Sequence, residues 1–242
     1  MTASHGPPHE VAVRLNMAAE LREKIQAACI TRAQHPEHVE LSSLSAMAGT
    51  LSYHLRCALN YAMHHFIEVH LRPRLADAEY RSLALKADFP LVRNEKAFKQ
   101  NPLLAHIKRH FPPVHTFLFV SQPFHPPAEW AATLVHFNNQ DKHESLIVID
   151  QEYISKVLIP GSKADVVFCG DSVACLSDNG SMTYQLLPCI AGPFDLVYTT
   201  DHRVLTFFLK KGESQVMLLP YAKSAIWQVA SLLKAFFDVM PT

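Results

Sequence analysis

The sequence predicts an α+β protein, in which an N-terminal helical hairpin or bundle precedes a mainly antiparallel sheet and a C-terminal amphipathic helix. Apolar residues recur at intervals of three and four over residues 10–34 and 39–71, as one buried face of a helix requires. After residue 144, short runs of Val, Ile, Leu, Phe and Tyr alternate with turn residues, which is typical of strands. The helical period then returns over residues 222–239.

The charge balance argues against a protein whose overall field draws it to nucleic acid or membranes. The 242 residues include 22 Lys or Arg and 22 Asp or Glu, so the formal net charge is zero. Residues 81–110 depart from this balance and are distinctly basic. A solvated basic face is the ordinary interpretation of such a stretch, and a docking surface for an anionic partner is the alternative.

The cysteines and the N-terminus predict a soluble, cytoplasmic protein. None of the 5 cysteines stands in a C-x-x-C pair, so reduced thiols are expected rather than a disulfide framework. The opening MTASHGPPHE lacks the basic-then-apolar layout of a signal peptide. No apolar run approaches the roughly 20 residues that span a bilayer. No glycine-rich nucleotide fingerprint occurs either, so no cofactor is expected.

Two helices are predicted to follow a disordered leader at residues 1–9. The first covers residues 10–34 and ends before Pro36, and the second runs from about 39 to 71 and ends before Pro73. The apolar stripe of the second helix would also suit the seam between two coiled-coil partners. A homodimer through residues 39–71 is therefore a possible partner arrangement.

The middle of the chain combines short helices with a proline-rich segment. Asn101 followed by Pro102 is a favourable helix start and predicts a short helix. Residues 111–127 predict a loop, with at most a brief strand or helical turn at 116–120. A further helix, AEWAATLVHFNNQDKH, ends at His143.

Strands are predicted throughout the second half of the chain. The short connections favour antiparallel pairing, and the Lys-Gly-Glu sequence at 211–213 predicts a hairpin. The predicted strands cover residues 145–150, 153–159, 165–169, 182–187, 195–200, 203–209 and 215–219. The closing helix, residues 222–239, is expected to pack on this sheet. The chain thus divides into the leader, a helical part over 10–143 and a sheet-plus-helix part over 144–242, or forms a single integrated domain.

The end of the helix before the sheet is the first candidate site. Asn138, Asp141, Lys142 and His143 lie close together there, and an Asp with a His could perform acid–base chemistry while the Lys holds an anion. The ordinary interpretation is that Asn and Asp bond to free backbone groups, while Lys and His sit near the negative pole of the helix.

A polar stripe on the second helix is the second candidate. Arg56, Asn60 and His64 are four residues apart in series and therefore lie along one side of that helix. An arginine beside a core usually has a carboxylate partner, and Asp141 is a possible one. We expect the Arg56 stripe to meet the Asn138–His143 junction, although a solvated flank is the ordinary interpretation.

A metal site is the third candidate. His106 and His110 are four apart on a short helix, as two ligands on one face should be. The hydrolytic H-E-x-x-H pattern requires a glutamate directly after the first histidine, and Ile107 stands there instead. His35 and His38 form another close pair. With 15 histidines in the chain, such spacings are also expected by coincidence.

Three segments together resemble a group of uncharacterised bacterial proteins. The shared pattern is an L-R-x-A-L-[DN] helix, a Q-P-[YF] turn and an N-x-D-K-H helix end that precedes strands. The matching positions are Leu55, Arg56, Ala58, Leu59, Asn60, Gln122, Pro123, Phe124, Asn139, Asp141, Lys142 and His143. The chain departs from the pattern at Asn60 and Glu144, where an acid and a base respectively are commoner. The resemblance implies that the Arg56 and Asp141–His143 segments belong together.

A weaker resemblance is to HEPN-type helical bundles, several of which cut RNA through an R-x4-6-H motif on one helix. Here seven residues separate Arg56 from His64, which is one too many. Arg32 and His38 have the right spacing, but Pro36 lies between them and interrupts a helix.

Three functions follow from these patterns. The first is a non-catalytic interaction or regulatory protein with a protein or nucleic-acid partner. The second is an RNA-directed nuclease or defence-type enzyme, in which His143 transfers protons while Arg56 and Lys142 stabilise a phosphate. The third is a metal-assisted hydrolase. The first two differ in whether Arg56 and His143 line an open cleft or a sealed contact.

Overall fold

Helices dominate the part of the chain that the structure describes. The computed structural model describes residues 8–84, 88–143, 147, 149–158, 165–169, 172–176, 182–186, 203–211 and 214–241. Within these ranges it contains eight α-helices and one antiparallel sheet. The side chains of residues 140–143 and of much of the sheet lie outside the description. None of the described helices combines the length and apolar character needed to cross a bilayer.

The N-terminal helical hairpin is confirmed. Helix α1 spans His9–Gln34 and helix α2 spans Leu41–Phe66, and they pack against each other. A π-helical turn, Ile67–Leu71, and a 3-10 turn, Arg72–Arg74, continue α2. The apolar stripe of α2 is buried against other helices of the same chain. The stripe is therefore not free to form the predicted dimer seam at residues 39–71.

Four shorter helices follow. Helix α3 spans Asp77–Ala84, α4 spans Glu95–Lys99, α5 spans Pro102–His110 and α6 spans Pro112–Val120. The predicted start of α5 is confirmed, since the Asn101 side chain accepts hydrogen bonds from the first free amides of that helix.

The loop predicted over 111–127 is wrong for residues 112–120, which form helix α6. Prolines in the first turn lack only amide groups that a helix start leaves unpaired, so they open this helix instead of breaking it. A 3-10 turn, Pro126–Ala128, then leads into helix α7, Glu129–His143.

The sheet is an antiparallel arrangement in the order β4-β3-β2-β1-β5-β6. Its strands are β1 Ile149–Leu158, β2 Asp165–Cys169, β3 Ser172–Leu176, β4 Met182–Leu186, β5 Arg203–Lys211 and β6 Ser214–Met217. The runs predicted at 145–150 and 153–159 contribute to the single strand β1, and β3 was not predicted. Strands β5 and β6 pair as the predicted hairpin requires. The strand predicted at 195–200 lies outside the described residues.

The C-terminal helix packs against the helices of the core as well as against the sheet. Helix α8 spans Leu218–Val239 and contacts α1, α2 and α6 as well as β5. Buried Ser52 on α2 shares a hydrogen bond of 2.8 Å with the hydroxyl of Tyr221 on α8. One hydrophobic cluster includes Phe236 of α8 together with Ile149 and Leu209 of the sheet. The core is therefore continuous across the division predicted between residues 143 and 144.

Candidate functional site

Arg56 and Asn60 hold an extended segment, residues 88–92, against one flank of α2. Arg56 Nη2 donates a hydrogen bond of 2.8 Å to the carbonyl of Phe89. The amide of Phe89 donates to Asn60 Oδ1 at 3.0 Å, while Asn60 Nδ2 donates to Asp88 Oδ1 at 2.6 Å. Both backbone polar groups of Phe89 are thus paired by α2 side chains.

Gln122 holds the same segment from the opposite end. Its side chain is completely buried, at 0% exposure. Nε2 donates to the carbonyls of Pro90 and Leu118, at 2.6 and 2.7 Å, and Oε1 accepts from the amide of Val92 at 3.0 Å. The buried amide group therefore uses both of its N–H donors and its carbonyl oxygen.

We call Arg56, Asn60 and Gln122 the polar clamp. The segment it holds lies outside helix and strand, so side chains supply hydrogen bonds to its backbone, in addition to a bond of 2.9 Å from the Leu91 amide to the Phe89 carbonyl. The clamp also positions Phe89 in the core. This fully buried ring packs edge-on against the ring of Phe236, with the two ring centres 5.3 Å apart.

Arg56 is half-buried in this contact. Its Nη1 is shielded from solvent and has no hydrogen-bond partner among the described residues. Burial lowers the pKa of the guanidinium, and the negative charge of Asp88 partly opposes that shift. Two clefts of about 470 and 310 Å³ lie elsewhere on the described surface, and neither is lined by Arg56.

The junction at the end of α7 is described only in part. Asn138 is buried, and its Nδ2 donates to Asn139 Oδ1 at 3.2 Å. The side chains of Asp141, Lys142 and His143 lie outside the described residues. Their acid–base and anion-binding roles therefore stay predictions.

The polar stripe on α2 does not act as one unit. The described hydrogen bonds of Arg56 and Asn60 go to Asp88 and Phe89, and none joins them to Asn138. His64, the third member of the stripe, is exposed. Helices α2 and α7 do pack together, but the described contacts of the stripe are with the 88–92 segment.

The predicted metal ligands on α5 lack a third donor. His106 and His110 are both half-buried, and Nδ1 of His106 is shielded from solvent without a hydrogen-bond partner. Among the described residues, neither histidine belongs to a group of three metal-binding side chains. A catalytic zinc site uses three protein ligands, so these two histidines alone do not form one.

The sequence did not reveal an open cluster on the other flank of α2. Arg14 of α1 lies over the rings of Tyr53 and Tyr61, with its guanidinium carbon 5.8 and 5.7 Å from the two ring centres. Arg14 Nη1 is 3.1 Å from Nδ1 of His54. Because arginine only donates, this ring nitrogen accepts, and the proton of the neutral imidazole sits on Nε2.

We call Arg14, Tyr53 and Tyr61, with the exposed Val13 and Met17 of α1, the hairpin face. Tyr53 and Tyr61 are 36% and 39% exposed, so both rings remain accessible beside the cation. The available sequence signal was two tyrosines eight residues apart on one helix. The partner arginine lies on a different helix, where no periodic pattern of α2 could reveal it.

Two titratable groups near α1 and α2 are shifted by burial. Burial lowers the pKa of His54, and the positive charge of Arg14 lowers it further. Burial raises the pKa of the Cys29 thiol to about 12, so this cysteine stays protonated and unreactive.

Comparison of the chain with protein-family models, with curated proteins and with solved structures gave no match. The functional argument therefore depends on the geometry of these clusters alone.

Proposed function

We propose that this protein is a non-catalytic interaction protein that binds its partner through the hairpin face. The observation that carries the proposal is the engagement of Arg56 by the backbone of the 88–92 segment. The competing nuclease mechanism requires this arginine to stabilise a phosphate, whereas its Nη2 is bonded to the Phe89 carbonyl and its Nη1 is shut off from solvent. The side chains of Arg56, Asn60 and Gln122 are thus directed at the protein's own backbone.

The hairpin face has the composition of a protein-binding surface. Tyrosine and arginine are enriched where proteins bind one another, because they combine a large apolar area with directional hydrogen bonding. The hairpin supplies a rigid base for these side chains, since the opposite side of α2 is buried in the core. Little conformational freedom would therefore be lost on binding.

We propose that the partner is a protein segment in which carboxylates alternate with apolar side chains. Helix α2 contains no Asp or Glu, and a side-chain hydrogen bond to Tyr61 raises the pKa of Arg14 further, so the face presents a permanent cation. Val13 and Met17, close to Arg14 in the sequence of α1, add exposed apolar side chains. A nucleic acid would require several neighbouring cations to contact its phosphates, and this face is built around one arginine.

A direct assay separates this proposal from the nuclease. Purified protein and the His143→Ala variant are incubated with structured and single-stranded RNA, and their melting temperatures are measured in parallel. We expect no cleavage by the parent protein. Cleavage by the parent that is lost in His143→Ala at an unchanged melting temperature would contradict the proposal.

The binding face is tested with displayed peptides in which Glu or Asp and Leu or Phe are randomised at fixed spacings. Selected peptides are then titrated against the parent, Tyr53→Ala, Tyr61→Ala and Arg14→Gln. Trp227→Ala is the matched control, because Trp227 is an aromatic residue that is 57% exposed on a different helix, α8.

We expect the three hairpin-face variants to weaken peptide binding by at least about tenfold, as truncation of an interface hot spot does, while Trp227→Ala leaves it unchanged. Equal loss in the control, or selection of RNA but no peptide in a parallel experiment, would contradict the assignment. Light scattering at micromolar concentration detects the remaining alternative, a dimer that covers this face.

A further inference from the structure

The turn between α1 and α2 carries three metal-binding side chains in one exposed cluster. His35, Glu37 and His38 each offer a ligand atom, and these atoms all lie within 4.8 Å of one another. This is the only such group of three among the residues that the structure describes. It is separate from the hairpin face and from the polar clamp, and it does not depend on the proposed function.

The geometry of the turn brings the three side chains together. The amide of His35 bonds to the carbonyl of Thr31 at 2.7 Å and ends α1, and Pro36 cannot continue the helix. The amide of His38 then bonds back to the carbonyl of His35 at 3.0 Å. This closed turn places the two imidazole rings face to face, with centres 5.0 Å apart and planes at 28°.

Arg32 stabilises the turn through hydrogen bonds to the backbone carbonyl groups of the turn. Its Nη1 donates to the carbonyl of Pro36 at 2.9 Å and also to that of Val39. The carboxylate of the neighbouring Glu40 has a different partner, since it accepts a hydrogen bond from Ser42 at 2.9 Å. The carboxylate of Glu37 is the one that faces the imidazoles.

The distances between the ligand atoms are close to those of a bound ion. Glu37 Oε1 is 3.8 Å from His35 Nδ1 and 3.5 Å from His38 Nε2. In a tetrahedral zinc site with bonds of about 2.0–2.1 Å, neighbouring ligand atoms are roughly 3.4 Å apart. Small rotations of exposed side chains close that difference. Two imidazoles and one carboxylate together form a mixed nitrogen and oxygen donor set.

We propose that His35, Glu37 and His38 bind a divalent transition-metal ion of the Zn²⁺ type at the α1–α2 turn. Imidazole and carboxylate ligands suit Zn²⁺ and its neighbours, whereas Mg²⁺ and Ca²⁺ require oxygen ligands throughout. Three protein ligands leave a further coordination position open to water or to a ligand from another molecule. The nearby Arg32 cation and the exposed position favour micromolar affinity over the tight binding of a closed structural site.

Calorimetric titration with Zn²⁺ tests the proposal, with tag-free full-length protein in a non-chelating buffer at pH 7.5. The variants are His35→Ala, Glu37→Gln and His38→Ala. His64→Ala is the matched control, since it removes an exposed imidazole from α2 outside the cluster. Circular dichroism of each variant verifies that the helices are intact.

We expect the parent to bind one Zn²⁺ that excess Mg²⁺ or Ca²⁺ does not displace. Loss of an outer-shell partner alone lowers metal affinity by about 10–100-fold, so each ligand variant should weaken binding by at least about tenfold. His64→Ala should bind like the parent. The proposal is overturned if the parent binds no Zn²⁺, if the ligand variants bind as tightly as the parent, or if His64→Ala loses as much affinity.

Discussion

Two half-buried arginines lie against opposite flanks of the same helix and have different partners. Arg56 on α2 points to the 88–92 segment, where its Nη2 bonds to a backbone carbonyl and its Nη1 is shielded from solvent. Arg14 reaches α2 from α1 and lies beside two exposed tyrosine rings. At 3.6 residues per turn, His54 and Arg56 project roughly 200° apart around α2, while Tyr53 projects about 60° from Arg56, on the solvent side between the two flanks.

The comparison shows why a motif arginine is not by itself a sign of catalysis. Arg56 stands in the recognisable pattern, yet its hydrogen bond serves a buried backbone segment that no helix or strand pairs. Arg14 belongs to no pattern, yet its surroundings are those of a binding surface. Stability and binding are therefore expected to respond to different residues on the two flanks.

The largest expected effect on stability comes from Gln122→Ala in the polar clamp. The change leaves the carbonyl of Pro90 and the amide of Val92 without their buried partner, so the free energy of unfolding should fall by about 3 kcal/mol. Urea denaturation measures the fall. The matched variant Gln122→Glu keeps an acceptor for the amide of Val92 but loses both N–H donors. If either variant is as stable as the parent, the role assigned to Gln122 in the clamp is wrong.

A smaller loss of stability is expected from Asn60→Asp, and a second substitution should reverse it. The Nδ2 of Asn60 donates a hydrogen bond to Asp88. A carboxylate at position 60 would lose that bond and face a like charge, so we expect a loss of about 1 kcal/mol at pH 7. Adding Asp88→Asn should restore most of it. If the double variant is no more stable than Asn60→Asp, the contact has been misassigned.

The flank that carries Arg14 is expected to show a pH dependence. The folded-state pKa of His54 is lowered, so the unfolded chain binds the proton more readily and stability is complete only above the unfolded pKa of about 6.5. The melting temperature should therefore fall as the pH drops from 7.5 toward 5, when protonation also breaks the bond from Arg14. His115 contributes with the same sign, since burial lowers its pKa too.

His54→Leu should flatten this pH dependence, whereas His64→Leu, a change at an exposed position of the same helix, should leave it as in the parent. Melting curves at closely spaced pH values give the comparison. An unchanged slope in His54→Leu would exclude the assigned environment of this ring.

The smallest effect on stability is expected for the hairpin face itself. Tyr53→Ala and Tyr61→Ala remove rings that are more than a third exposed, so each should change the free energy of unfolding by no more than about 1 kcal/mol. Thermal and urea unfolding would reveal a core-sized loss, and such a loss would mean that these rings support the fold instead of binding a partner.

The sequence revealed the elements whose signals are local. The apolar period and the caps gave α1, α2 and the start of α5, because three- and four-residue spacing and the Asn101 cap act within one helix. Helix α6 was missed because Pro112 and Pro113 were interpreted as a break, although both are compatible with a first turn.

The contacts of the candidate sites were harder to predict because they join distant parts of the chain. Arg56 and Asn60 were singled out, but their partners at Asp88 and Phe89 lie in a segment without periodicity. Gln122 was noticed only through the resemblance, and its role depends on a backbone segment some thirty residues away. Only the folded chain brings Arg14 to Tyr61.

The account is tested most directly by urea denaturation of Arg56→Ala beside Arg14→Ala. We predict a loss of about 2–3 kcal/mol for Arg56→Ala, which removes a charged donor from the Phe89 carbonyl and leaves it only the bond from the Leu91 amide, and less than about 1 kcal/mol for Arg14→Ala. Equal losses, or the larger loss in Arg14→Ala, would contradict the claim that one flank of α2 holds the fold together while the other is free to bind.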